Sequence, residues 1–239
     1  DIQGEVSNPV KMRSDDGNAW GGLLICGNAT TSEGVNATAE VGGLIYGGTN
    51  DTESSGNIDY LILRNTGAQI NADSQFNGLT LYAVGSSTNI NHVAIINGTD
   101  DGIEFFGGTV NASNIYVENL EDDAIDWTEG WNGTLTNTYV LHTQAGFSTA
   151  LEADGVNNNP TITNFTAVSQ AGEGTALQFK ATSGATITGL SLTGYDTTID
   201  MANEGPLSNV QIEGADADPN TAYDNAATVD ISMFDWRNN

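Results

Sequence analysis

The sequence predicts an all-β chain wound as a right-handed parallel β-helix, a solenoid of about seven to nine coils. Three observations carry this. A four-residue pattern of small, aliphatic, polar and large apolar residues recurs from Gly78-Leu79-Thr80-Leu81 through Gly102-Ile103-Glu104-Phe105, Ala124-Ile125-Asp126-Trp127, Ala150-Leu151-Glu152-Ala153 and Ala176-Leu177-Gln178-Phe179 to Thr198-Ile199-Asp200-Met201, at steps of 24, 22, 26, 26 and 22 residues. A second pattern interleaves with it, an aliphatic residue followed by others three and five positions later, from Ile58/Leu61/Leu63 to Leu207/Val210/Ile212. The third is composition: of 239 residues 29 are glycine and only 5 are Lys or Arg, which disfavours helix and favours short strands joined by turns.

Each element follows in order. Residues 1–56 hold two glycine-led apolar runs, Gly21-Gly22-Leu23-Leu24-Ile25 and Gly42-Gly43-Leu44-Ile45-Tyr46, expected as two irregular first coils. Regular coils run to residue 212. Short strands that alternate in and out cannot bury a face alone, but stacked coils can. Leu79, Ile103, Ile125, Leu151, Leu177 and Ile199 are therefore expected as one interior column, and Leu81, Phe105, Trp127, Ala153, Phe179 and Met201 as its neighbour. In the second pattern the residue before the middle aliphatic is Asn114, Asn137, Asn164, Gly189 or Asn209 in five of the coils. Asn and Gly accept a left-handed backbone, so each coil is expected to bend there between two strands. Right-handedness is the usual hand of parallel strands joined by crossovers. Residues 213–239 lose the repeat: a polar loop over Asp216–Asn225 precedes an amphipathic piece, Val229–Trp236, expected to cap the open end of the rod.

Charge narrows the partners. With 31 acidic side chains against Lys11, Arg13, Arg64, Lys180 and Arg237, the net charge is −26. Nucleic acid, anionic membranes and acidic glycans are excluded as expected partners, because binding them needs a cationic patch. No apolar run is long enough to insert in a membrane. Cys26 is the one cysteine, so no internal disulfide forms. A chain that opens at Asp1 without a leader is expected of a processed, secreted fragment.

The acidic residues are patterned. Asp100-Asp101 and Asp122-Asp123 lie 22 residues apart, one coil, so Asp100/Asp122, Asp101/Asp123 and Glu104/Asp126 are expected to stack on adjacent rungs, with Glu152 extending the last column. Carboxylates at about 5 Å repel by about 1 kcal/mol or more, and no Lys or Arg is near in sequence to neutralise them. A hard cation with oxygen ligands resolves this, and Ca²⁺ accepts carboxylates and loop carbonyls in flexible geometry. Asp100, Asp101, Glu104, Asp122, Asp123 and Asp126 are the expected ligands. The plainer alternative is a solvated acidic face whose aspartates bond turn amides.

The same column supports a competing class, a glycoside hydrolase acting on a neutral polysaccharide with Glu104, Asp126 and Glu152 as its carboxyl groups. His92 and His142 fall inside strand patterns and are expected to be ordinary packed or exposed residues. A polysaccharide lyase would need a basic residue to take the proton, and the centre of the sequence has none. A third class is ice binding: Thr134-Leu135-Thr136, Thr161-Ile162-Thr163 and Thr186-Ile187-Thr188 build a Thr-x-Thr ladder if the central aliphatic points inward, though threonine is also simply a good exposed strand residue. Trp127, Phe105 and Phe179 fall in an interior column, whereas Phe106, Tyr116 and Trp131 fall on outward or loop positions.

The segments Trp20-Gly21-Gly22-Leu23, Asn77-Gly78-Leu79-Thr80-Leu81, the run Asp100 to Gly108 and the run Asp122 to Gly130 resemble secreted or lipid-anchored parallel β-helix proteins of marine and Bacteroidetes-type bacteria. The likeness covers roughly residues 18 to 145. It implies an extracellular right-handed β-helix and carries no established activity. The reading as a whole is an extracellular, non-catalytic β-helix stabilised by Ca²⁺, a structural, adhesive or self-assembling component that associates end to end, with a neutral glycan as its alternative partner.

Overall fold

A strand that alternates apolar and polar residues hides its apolar face only if neighbouring strands extend that face, and here the neighbours are supplied one coil at a time. The computed structural model describes residues 1–71, 74–203 and 205–239 and is a parallel β-helix. Its long strands, Asn57–Arg64, Asn89–Ile96, Asn111–Glu118, Thr134–His142, Thr161–Ser169, Ala185–Thr193 and Val210–Ile212, stack in parallel register within one large sheet. Its short strands stack as Leu23–Cys26, Leu79–Tyr82, Ile103–Phe106 and Ile125–Thr128 in one sheet and Thr149–Ala153, Thr175–Phe179 and Thr197–Asp200 in another.

Both predicted columns are interior. Leu79, Ile103 and Ile125 are in register, as are Leu151, Leu177 and Ile199, and all are buried. The second column is buried from Leu81 to Phe179, with Met201 half-buried at the last rung. The small residue of the repeat has a steric cause: a Cβ on Gly78 would sit 2.5 Å from the carbonyl oxygen of Gly102, and one on Gly102 2.4 Å from that of Ala124.

The predicted bend is present at Asn114, Asn137, Asn164 and Gly189, with φ of 55°, 55°, 57° and 67°. Asn209 does not share it; Leu207–Asn209 forms a 3-10 turn instead, so Ile212 rather than Leu207 pairs with Ile187. Two further rungs bend at residues the pattern did not mark, Tyr60 and His92, with φ of 51° and 48°. A left-handed conformation costs a bulky residue about 1–2 kcal/mol. Here the two rings stack at 4.1 Å, Trp236 packs edge-on against Tyr60, and His92 Nδ1 lies 2.7 Å from Asp59.

The solenoid makes about five turns, slightly fewer than the expected seven to nine coils. Leu23–Cys26 does add a rung, beside Leu79–Tyr82. The Gly42–Tyr46 run does not: Gly42 and Gly43 both adopt positive φ and turn the chain so that Ile45–Tyr46 pairs antiparallel with Ala37–Thr38. That hairpin packs Ala39 and Tyr46 over Tyr82 and the outward ring of Phe106.

The final segment closes over the end of the rod and continues as a strap along the flank. Ala215–Tyr223 covers the last rung, with Ala217 buried in the core and the Tyr223 carbonyl accepting from Leu192 N–H at 2.9 Å. The chain then runs back down the outer face of the long-strand sheet. Ser191 donates to the Asn225 carbonyl at 2.8 Å, Phe234 packs on Tyr116 at 5.5 Å, and Asn239 reaches the Val6 carbonyl at 2.7 Å. Val229, Phe234 and Trp236 are buried against Ile62, Ala94, Ile96 and Tyr116, an outward face too apolar to be left bare.

Trp131 sits in a loop, one of the two positions expected for it, and turns inward. It is fully buried, donates to the Val110 carbonyl at 3.0 Å and stacks on Phe105 at 4.2 Å. His142 is a packed histidine, stacked on Phe147 at 3.7 Å with Nδ1 3.1 Å from the Tyr195 hydroxyl. The three Thr-x-Thr triplets lie in register, all half-buried.

Candidate functional site

The short-strand sheets align the polar residue of each repeat. Thr80, Glu104 and Asp126 are in register, and Glu152, Gln178 and Asp200 continue the order on later coils. The Asp-Asp turns precede the strands on two of these rungs and bring Asp101 and Asp123 over the same edge. Asp123 N–H donates to Asp101 Oδ1 at 3.0 Å, so one turn braces the next.

Asp101, Glu104, Asp123, Asp126 and Glu152 are all buried, between 4% and 8% exposed. Two sets of carboxylate oxygens lie within 4.8 Å of one another: Asp101, Glu104 and Asp126, all buried, and Asp100, Asp101 and Asp122 towards the surface. Asp101 belongs to both. Of the six expected ligands, five enter these sets. Asp123 stands beside them with Oδ1 buried and without a partner, and Asp126 Oδ1 is in the same condition.

Burial is the first cause of an upward pKa shift at Asp100, Asp101, Glu104, Asp122, Asp126 and Glu152, and neighbouring carboxylates add to it. Asp101, Glu104 and Asp126 are pushed well above the usual carboxylate range, Asp126 acting on both of the others. The Glu104 and Asp126 oxygens lie within 4.8 Å of each other, which favours a proton on one of them when no cation is present. Asp100 is raised to about 7 by burial and then by Asp122. Glu152 is raised to about 7 by burial and Asp123, against the pull of Lys180.

Lys180 is the correction here. No cation is near in sequence, yet the coil carries Lys180 onto the rung beside Glu152, where the two form an ion pair. Glu152 is thus an ion-paired carboxylate, while the Asp101/Glu104/Asp126 set has no cationic partner within 4.0 Å among the described residues.

Sequence reasoning also missed Asn77, Gln75 and Glu40. Asn77 donates to Glu104 Oε2, and it occupies the motif position of Asp101 and Asp123 one rung earlier, so the repeat itself held the signal. Glu40 comes from the hairpin and has no such signal. With Gln75, Asn77, Asp100, Asp101 and Glu104 it lines an opening of about 310 Å³ that leads from solvent to the buried carboxylates.

A stack of coils carrying a buried, under-neutralised carboxylate edge defines the class of protein: a parallel β-helix with an oxygen-rich site on its short-strand face. The family model described as a pectate-lyase-like β-helix domain matches residues 1–232, and the chain belongs to that family. No curated protein and no solved structure matches it. Among the described residues no helix is long and apolar enough to cross a membrane.

Proposed function

We propose that this chain is an extracellular, non-catalytic β-helix whose carboxylate edge is filled by Ca²⁺ and which serves as a structural, adhesive or self-assembling surface component. One observation carries the reading: three buried carboxylates on two adjacent rungs aim oxygens within 4.8 Å of one another, and one of them, Asp126, keeps an oxygen with no partner. Buried carboxylates this close are stable only if protonated or bound to a cation. At neutral pH a hard divalent ion meets the need, and Ca²⁺ accepts this oxygen set together with amide oxygens such as those of Asn77 and Gln75. The ion would tie the Asp-Asp turns of successive coils together, a structural role in a rod whose coils touch only their neighbours.

The hydrolase reading ranks second. The Glu104 and Asp126 oxygens lie within 4.8 Å of each other, and both carboxyl groups are buried, 8% and 7% exposed, out of reach of a polysaccharide chain. Ice binding ranks third, since the threonine ladder covers three rungs only.

The test is thermal unfolding followed by circular dichroism, with calcium and with excess chelator at fixed ionic strength. Calcium is expected to raise Tm by several degrees and Asp126→Asn to remove the rise. Equal Tm in both conditions overturns the metal reading, and release of reducing ends from a neutral glycan panel overturns the non-catalytic one.

A further inference from the structure

The sequence scatters five basic residues among 31 acidic ones, yet four of the five line one cavity. Lys11 and Arg13 come from the strand Val10–Met12 and the residue after it, Arg64 from the end of Asn57–Arg64, and Arg237 from the strap. The strands are paired, Lys11 opposite Ile62 and Met12 opposite Leu63, so the basic residues of both emerge at the same edge. The strap then delivers Arg237 across the far side. The space is about 200 Å³ and opens to solvent, with Met12, Ile62, Asn238 and Asn239 completing its lining.

The two inner guanidinium groups are held in place. Arg237 lies 4.4 Å over the Tyr116 ring, donates to the Phe234 carbonyl at 2.9 Å, and approaches the exposed Asp235 carboxylate only to 3.7 Å. Arg64 donates to the Arg237 carbonyl at 3.3 Å. Each keeps further N–H donors. Lys11, Arg13 and Arg64 have no carboxylate within 4.0 Å among the described residues. Clustering like charges is unfavourable by itself, and a chain this acidic has carboxylates to spare for neutralising them. A preorganised fork of guanidinium groups with free donors is the arrangement that receives an oxyanion in bidentate fashion.

We propose that this cavity binds a small oxyanion, one carboxylate, sulfate or phosphate group on a ligand no larger than a single sugar or amino acid. The volume admits one such unit. This site is independent of the carboxylate edge and does not rest on the calcium reading.

The experiment uses the full chain without added calcium. Isothermal titration and thermal unfolding are recorded with sodium sulfate, sodium phosphate and sodium glucuronate, each against sodium chloride at matched ionic strength, since salt alone relieves repulsion in a chain of charge −26. At least one oxyanion is expected to bind saturably at one site and to raise Tm above the chloride control; which of the three does so tells the carboxylate, sulfate and phosphate sources apart. Lys11 and Arg13 are exposed, so the double variant Lys11→Gln/Arg13→Gln is expected to keep the anion-free Tm within about 1 °C and to weaken binding about tenfold or more. Arg64→Gln supplies a second variant with the same expected loss. Chloride matching every oxyanion, or binding that is unchanged in the double variant, overturns the proposal.

Discussion

Two polar ladders climb this β-helix with the same rung spacing, and the chemistry of their terminal atoms sets them apart. On the long-strand sheet Asn114 donates to Asn91 at 2.8 Å, Asn137 to Asn114 at 3.2 Å and Asn164 to Asn137 at 2.9 Å. An amide carries both a donor and an acceptor, so each rung satisfies the next and the ladder closes on itself. On the short-strand face Glu104 and Asp126 stand in the same relation, but ionised carboxylates only accept. That ladder is left with buried unpartnered oxygens and raised pKa values, and it must take a proton, a lysine or a metal from elsewhere. Identical backbone stacking thus yields a self-sufficient column in one place and an acceptor-only edge in the other.

The sharpest way to break the comparison is to saturate the acidic ladder. Calcium at about a hundred times its Kd should stabilise the protein by about 2.7 kcal/mol, several degrees in Tm, and chelator should cancel it. Asp126→Asn should abolish this response while leaving the metal-free protein as stable as before or more so, because a buried charge is replaced by an amide of the same shape.

The long-strand sheet should respond to acid through His142, whose pKa burial lowers to about 4. The folded value lies below the unfolded one near 6.5, so the stability it confers is complete above about pH 6.5 and is lost as pH falls towards 4, by up to about 3 kcal/mol. The check is urea unfolding of wild type and His142→Gln between pH 7.5 and pH 4.5, as the expected gap between the two narrows or inverts in acid. A gap independent of pH would mean that His142 does not titrate in this window.

Asn137→Asp imports the chemistry of the acidic ladder into the amide one. It should cost about 1–3 kcal/mol, since the substitution removes a donor from a half-buried column, and calcium should not restore it. Rescue by calcium would show that any stacked carboxylate recruits metal and that the Asp-Asp turns are incidental. The smallest effect concerns Thr138, which points into the core with its hydroxyl unpartnered. Thr138→Val should raise stability by about 1 kcal/mol, read as a shift of a few degrees in Tm.

The stacking was legible because it is periodic. Leu79, Ile103 and Ile125 are coil-spaced in sequence and in register in space, and the same arithmetic brings Glu104 to Asp126 and Asp101 to Asp123. Asn77 was readable on the same basis, as the Asp101 position of the preceding rung. The Gly42–Tyr46 run misled because a glycine-led apolar segment reads alike as a coil strand or as a hairpin arm, and the positive φ at Gly42 and Gly43 selects the hairpin. The loop position of Trp131 was legible but its inward turn was not, because that depends on the ring of Phe105 and the carbonyl of Val110, neither of which belongs to its own repeat.

What the sequence determined by itself is therefore the coil, its interior columns and the acidic edge, all consequences of spacing between like residues on successive rungs. Only the tertiary structure decided the rest: Lys180 beside Glu152, the hairpin over Phe106, the strap over Tyr116 and the gathering of Lys11, Arg13, Arg64 and Arg237 around one cavity. Apart from Lys180, which lies two residues past Gln178 on the rung next to Glu152, these contacts join residues that share no period, some more than 200 positions apart in the chain. They are fixed by which outward apolar faces the solenoid must cover, a requirement that exists only once the coils have stacked.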